Sequence, residues 1–119
     1  MTTLNEALAE IMSIDGASAV ALVDGSSGMI LGSAGSGMDM EVAAAGNTEV
    51  VRSKMKTIKA LNLKDEIEDI LITLGKQYHV IRPVANKTGL FFYVVLDRTR
   101  ANLALARRKV LDVENTLKM

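Results

Sequence analysis

Residues 40–61 read MEVAAAGNTEVVRSKMKTIKAL, and the reading of this one segment decides the fold. It contains no proline, it is rich in good helix formers, and Asp39 stands in front of it as an N-cap, so a helix to about Leu61 is predicted. Successive residues turn by about 100°, which gathers Met40, Ala44, Val51, Met55 and Ile58 into a sector of roughly 60° and makes them the expected core stripe. Val42, Ala43, Gly46, Val50, Ser53, Thr57, Ala60 and Leu61 occupy a second sector, small or apolar and nearly free of charge. Glu41, Glu49, Arg52, Lys56 and Lys59 form a charged ridge between the two. A helix that covers one small core needs one dry stripe. This one has two.

Working outward, the N-terminal side supplies Thr3 and Glu6 at capping-box spacing, followed by Leu4, Ala7, Leu8, Ile11 and Met12 at helical intervals. After Asp15-Gly16, ASAVALVD and GMILGSA read as two strands, and DGSSG joins them, with Gly25 and Gly28 supplying the positive φ of a tight hairpin. On the C-terminal side NLK breaks the long helix. DEIEDILITLG, QYHVIRPV and GLFFYVVLD then read as three strands in meander order across the turn signals GK and ANKTG. Asp97 or Thr99 can cap a last helix with the stripe Leu103, Ala106, Val110, Val113 and Leu117. The order αββαβββα, with hairpins everywhere except across the long helix, predicts an α+β sandwich: a five-stranded, mostly antiparallel sheet with helices on its faces.

A chain of 119 residues fits a single domain spanning 1–119. Lys plus Arg and Asp plus Glu are balanced at 14 each, which argues against a dedicated nucleic-acid or membrane-surface protein. There is no cysteine, which excludes disulfides and thiolate metal sites and fits a reducing interior. MTTLNEALAEIMSID has no basic run ahead of an apolar stretch and does not read as a signal peptide. The longest apolar run, Leu90 to Leu96, is far shorter than the roughly 20 residues of a membrane helix. A cytoplasmic protein without membrane insertion is expected.

Catalytic chemistry is hard to assemble from these residues. His79 is the only histidine, so neither a two-histidine metal site nor a Ser-His-Asp relay with a spare base is available, and a structural or partly exposed His79 is expected. GSSGMILGSAGSG lacks the lysine of a phosphate-binding loop and joins strand to strand. In DEIED, Glu66 and Glu68 share one face while Asp65 and Asp69 share the other, which splits any cation site. RTRANLALARRK is basic, but Arg108 with Asp112 and Glu114 with Lys118 have the spacing of helical ion pairs, and no aromatic interleaves the charges. A solvated helix face is the reading. No catalytic residue, metal ligand, cofactor or nucleic-acid partner is therefore expected, and function falls to the surfaces.

The second dry sector of the long helix has two readings: it packs under a loop of the same chain, or it meets a second copy. Gly46, Ser53 and Ala60 lie about two turns apart and let backbones approach, which favours the second. In DEIEDILITL the acidic start and apolar ILI suit either an edge strand blunted by carboxylates or one guarded at its start and paired with its own copy farther on.

With these elements placed, the chain resembles the Roadblock / dynein light chain family, in particular its bacterial members. ASAVALVDGSSGMILGSA, QYHVIRPV and LFFYVVLDRTRANLALARRKV carry the likeness, together with the element order. The resemblance implies a profilin-like sandwich with strand order 2-1-5-4-3, first and last helices on one face and the long helix on the other. It implies homodimers in which strand three meets its copy and the long helices pack side by side. It further implies a non-enzymatic regulator or scaffold of a small Ras-like GTPase, in bacterial signalling or polarity. No extended tail follows the last helix, so roles that need one are not expected.

The expected dimer interface is Val42, Gly46, Val50, Ser53, Thr57, Ile70 and Ile72, and the expected GTPase-facing surface is Glu49, Arg52, Lys56 and Lys59. The competing reading of that ridge is plain soluble surface. A small-ligand sensor of the same sandwich fold is the alternative function, with Tyr78, Phe91, Phe92 and Tyr93 as its sparse aromatics.

Overall fold

A computed structural model describes residues 2–85, 87 and 89–117. Its elements follow the expected order: α1 (Leu4–Met12), β1 (Ala17–Asp24), β2 (Met29–Gly35), α2 (Met40–Ala60), β3 (Ile70–Thr73), β4 (Gln77–Pro83), β5 (Leu90–Asp97) and α3 (Leu103–Thr116). They build a five-stranded sheet in the order β2-β1-β5-β4-β3, with every neighbouring pair antiparallel.

The two central strands make two cores because strand side chains alternate between faces. Val20 and Leu22 of β1, with Phe92, Val94 and Leu96 of β5, point to one face, where α1 and α3 cover them with Ala7, Leu8, Ile11, Ala106, Val110, Val113 and Leu117. Ala19, Ala21 and Val23, with Phe91, Tyr93 and Val95, point to the other face and meet Ala44 and Val51 of α2. The alanines of β1 matter here. Their small side chains let α2 lie close over the centre of the sheet.

Local devices fix the ends. Thr3 and Glu6 close the capping box of α1, and Asp39 accepts from the Glu41 and Val42 amides at the head of α2. Only Gly28 of the first hairpin's two glycines takes a positive φ, at 80°. Gly25 is needed for close approach instead, since a Cβ there would stand 2.7 Å from the Gly89 carbonyl oxygen. The last helix is capped by Asn102, not by Asp97 or Thr99. Asp97 is already occupied in a turn of its own, accepting from the amide and hydroxyl of Thr99.

Two further expectations are corrected. DEIED does not join β3, which begins only at Ile70. Continuing the Ile70–Ile81 register would set Glu68 opposite Pro83, which has no N–H to give, so the ladder stops and residues 65–69 become an arm. The inner stripe of α2 is Ala44, Thr48 and Val51, not a stripe reaching Met55. Met55 is 57% exposed. Thr48, only 3% exposed, is buried without loss because its hydroxyl donates to the Ala44 carbonyl at 2.7 Å.

Candidate protein-interaction surface

The first half of α2 lies on the sheet, and the side it turns away from the sheet is bare. Val42 is 68% exposed and Val50 38%; Gly46, Ser53, Thr57 and Ala60 are exposed, as is Leu61. A Cβ built on Gly46 meets nothing within 4 Å. Of the second dry sector only Ala43 packs into the chain's own core. The reading in which a loop of the same chain covers this sector therefore fails among the described residues.

β3 is an edge strand, as strand order 2-1-5-4-3 requires. The Leu74 amide donates to the Gln77 carbonyl at 2.8 Å, so by alternation Ile72 and Ile70 also direct their backbone groups to β4, while Leu71 and Thr73 direct theirs outward. The side chains of Ile70 and Ile72 are half-buried against the α2-side core. Beside this edge, an open cleft of about 580 Å³ is lined by Val50, Lys54, residues 65–70 and Arg107.

The charged ridge is solvent-exposed at Glu49, Arg52, Lys56 and Lys59. Arg52 is tethered: its Nε donates to the Gly25 carbonyl at 3.2 Å, its Nη2 to the Ser26 carbonyl at 2.6 Å, and Glu49 stands 3.7 Å from Nη1. The ridge is thus continuous with the β1–β2 hairpin. The ties to Gly25 and Ser26 escaped the sequence because they join residues 26 and 27 apart.

A second feature missed by the sequence is an ion cluster under α3. Arg82 of β4 donates through Nε to Glu114 at 3.0 Å and lies 3.9 Å from Asp69, while Arg107 grips Asp69 with two bonds of 2.8 and 2.7 Å. The other oxygen of Glu114 accepts from the Ala85 amide at 2.8 Å. Glu114 is therefore turned inward, only 4% exposed, and does not belong to a solvated face. Its expected partner Lys118 lies outside the described residues. Arg108 does pair with Asp112, at 3.4 Å. The available signal was Arg82 itself, a cation between Ile81 and Pro83 on a strand.

His79 is half-buried on β4. One ring nitrogen, Nε2, lies 2.9 Å from Gln77 Oε1, and the other, Nδ1, lies 3.0 Å from the Tyr93 hydroxyl, the two rings meeting edge to face. Burial pushes the His79 pKa below its usual 6.5. Its polar groups are satisfied within the chain, which is the structural role expected. Among the described residues no three metal-ligating side chains converge, and no helix is long and apolar enough to cross a membrane.

These observations define a class: an antiparallel α+β sandwich whose long helix and sheet edge are left uncovered on the same side. Comparison with solved structures makes it specific. A Roadblock/LC7 domain from Streptomyces avermitilis superposes with a TM-score of 0.83 at 10% identity, covering 97% of this chain and 94% of that one. MglB of Myxococcus xanthus gives 0.80 at 19% identity, covering 94% and 91%. An MglB with a tetrameric arrangement gives 0.79 at 16% identity, covering 92% and 81%. The chain has the Roadblock/LC7 fold. Its sequence matches no protein-family model and no curated protein.

Proposed function

We propose that this chain is a non-enzymatic, homodimeric regulator or scaffold of a small Ras-like GTPase in bacterial signalling or polarity, working in the cytoplasm as a single Roadblock-like domain. One observation carries the proposal: the second face of α2, from Val42 through Gly46 and Val50 to Thr57, is exposed, and its Val50 lines one cleft with Ile70 of the edge strand β3. An apolar helix face beside a free edge suits a second copy, whose α2 packs antiparallel while its β3 extends the sheet. Val42, Gly46, Val50, Ser53 and Thr57 form the helix part of that interface, and Ile70 and Ile72 the strand part. The tetrameric arrangement of one MglB supports self-association on this fold.

Once core and dimer faces are allotted, Glu49, Arg52, Lys56 and Lys59 remain for the partner. In the dimer two such ridges would flank the paired helices and hold the switch loops of a GTPase, shifting its conformational population by binding one state better. The test is in two parts. Light scattering at micromolar concentration should give a dimer mass, and a monomer overturns the proposal. A small GTPase from the same organism should bind the dimer, with binding lost on charge reversal of Lys56 and Lys59. Thermal shifts with metabolites and no response to any GTPase would favour a small-ligand sensor instead.

A further inference from the structure

The β3 edge and its surroundings carry more detail than the existence of a dimer. Resting on the dimer reading above, we infer that the acidic arm before β3 of one protomer pairs with the basic β3–β4 turn of its copy, with Glu68 facing Lys76 of the partner subunit as the central contact. Three observations lead there.

The first is register. Leu71 and Thr73 are the β3 residues with outward backbone groups, as the Leu74–Gln77 bond and the β3–β4 ladder require. A two-fold axis perpendicular to an antiparallel pair sets one residue opposite itself. With Leu71 on the axis, Thr73 would have to pair with Asp69, which is outside the strand. With Ile72 on the axis, Leu71 and Thr73 pair with each other's copies, and all four bonds come from strand residues. The second register satisfies the edge. It puts position 68 opposite position 76.

The second observation is charge. Asp65, Glu66 and Glu68 are exposed and make no ion pair among the described residues. Lys76, on the turn, is likewise exposed and unpaired. Arg98 sits at the same turn, its Nη1 donating to the Leu74 carbonyl at 2.8 Å and its amide to the Lys76 carbonyl at 3.1 Å. The two-fold thus lays a segment whose charges are all acidic against a turn whose nearby charges, Lys76 and Arg98, are basic, twice per dimer.

The third is rigidity. Asp69 spends its carboxylate on Arg107 and Arg82, which pins the end of the arm to its own protomer and leaves its other three carboxylates facing outward. An ordered arm loses little freedom on pairing.

The experiment measures the homodimer dissociation constant by analytical ultracentrifugation for the wild type, Glu68→Lys, Lys76→Glu and the variant carrying both. Each single reversal should raise the constant by about tenfold, since it converts two attractive contacts into repulsive ones. The double variant should return to near the wild-type value, because each half of the interface regains opposite charges. Raising salt should weaken the wild type and strengthen the single reversals. A wild-type dimer indifferent to either reversal, or a double variant as weak as the two singles combined, overturns the pairing while leaving the dimer standing. A monomeric wild type overturns the dimer reading itself.

Discussion

Arg82 and Glu114 meet at 3.0 Å beneath α3, with the Glu114 side chain almost wholly withdrawn from water. The pair joins β4 to the last helix, and its second oxygen holds the Ala85 amide at the start of the β4–β5 turn. Glu114→Ala leaves a guanidinium and a backbone N–H without their acceptor, so a loss of about 3–5 kcal/mol is expected in urea unfolding. Glu114→Gln should lose clearly less, because the amide oxygen still accepts from Ala85 or Arg82.

Helical periodicity separated the faces of α2 but could not say where the sheet beneath it ends. Val51 is the last buried residue of α2, and Met55, one turn on and about 40° round the helix, is left exposed. Apolar periodicity does not mark Thr48, because its hydroxyl is satisfied on the helix backbone. The arm at 65–69 looked like strand by alternation, and what stops it, Pro83 on a neighbouring strand, is a tertiary fact. β1, β2, β5 and α1 are legible because their signals are local: a capping box, hairpin glycines and the apolar run Leu90 to Leu96.

His79 makes a pH dependence separable. Burial holds its pKa below 6.5, so the unfolded chain takes up a proton that the folded chain refuses. Stability from this group is fully present above 6.5 and falls as the pH drops from there toward the folded value. Glu6, Asp24 and Asp97 shift downward through hydrogen bonds from Thr3, Ser26 and Thr99, so their contributions are lost only in the carboxylate range below. Unfolding measured from pH 7.5 down to 5.5 should show a decline that His79→Gln removes.

Gly35 and Gly37 have nearly the same left-handed backbone, φ 91° and 90°, but different surroundings. A Cβ on Gly37 meets nothing, whereas one on Gly35 would collide with the Ser18 carbonyl of β1. Gly37→Ala should cost about 1–2 kcal/mol through conformation alone. Gly35→Ala should cost distinctly more, and equal midpoints in denaturant would contradict this account of the β2 end.

Gly46 tests the helix part of the proposed dimer. Because space around it is open and Glu is a better helix former than Gly, Gly46→Glu should leave the monomer as stable as before or firmer by about 0.5 kcal/mol. At a close helix pairing it would bring two carboxylates together in a dry contact, and the dissociation constant should rise at least about tenfold. An unchanged mass by light scattering would show that copies meet on another face.

The charged ridge separates into residues with different duties, and that distinction can be measured. Lys56 and Lys59 are exposed and make no ion pair among the described residues, so Lys56→Glu with Lys59→Glu should move unfolding by no more than about 0.5 kcal/mol per site. Arg52 is tied to the Gly25 and Ser26 carbonyls, and Arg52→Ala should loosen the β1–β2 hairpin, seen as faster amide exchange at residues 25–28. If the ridge receives a GTPase, the lysine reversals weaken binding by tenfold or more, the order expected for charged contacts at an interface, with dimer mass and hairpin exchange unchanged. Arg52→Ala alters binding and hairpin exchange together. Lysine reversals that leave GTPase binding intact would move the partner site away from Lys56 and Lys59.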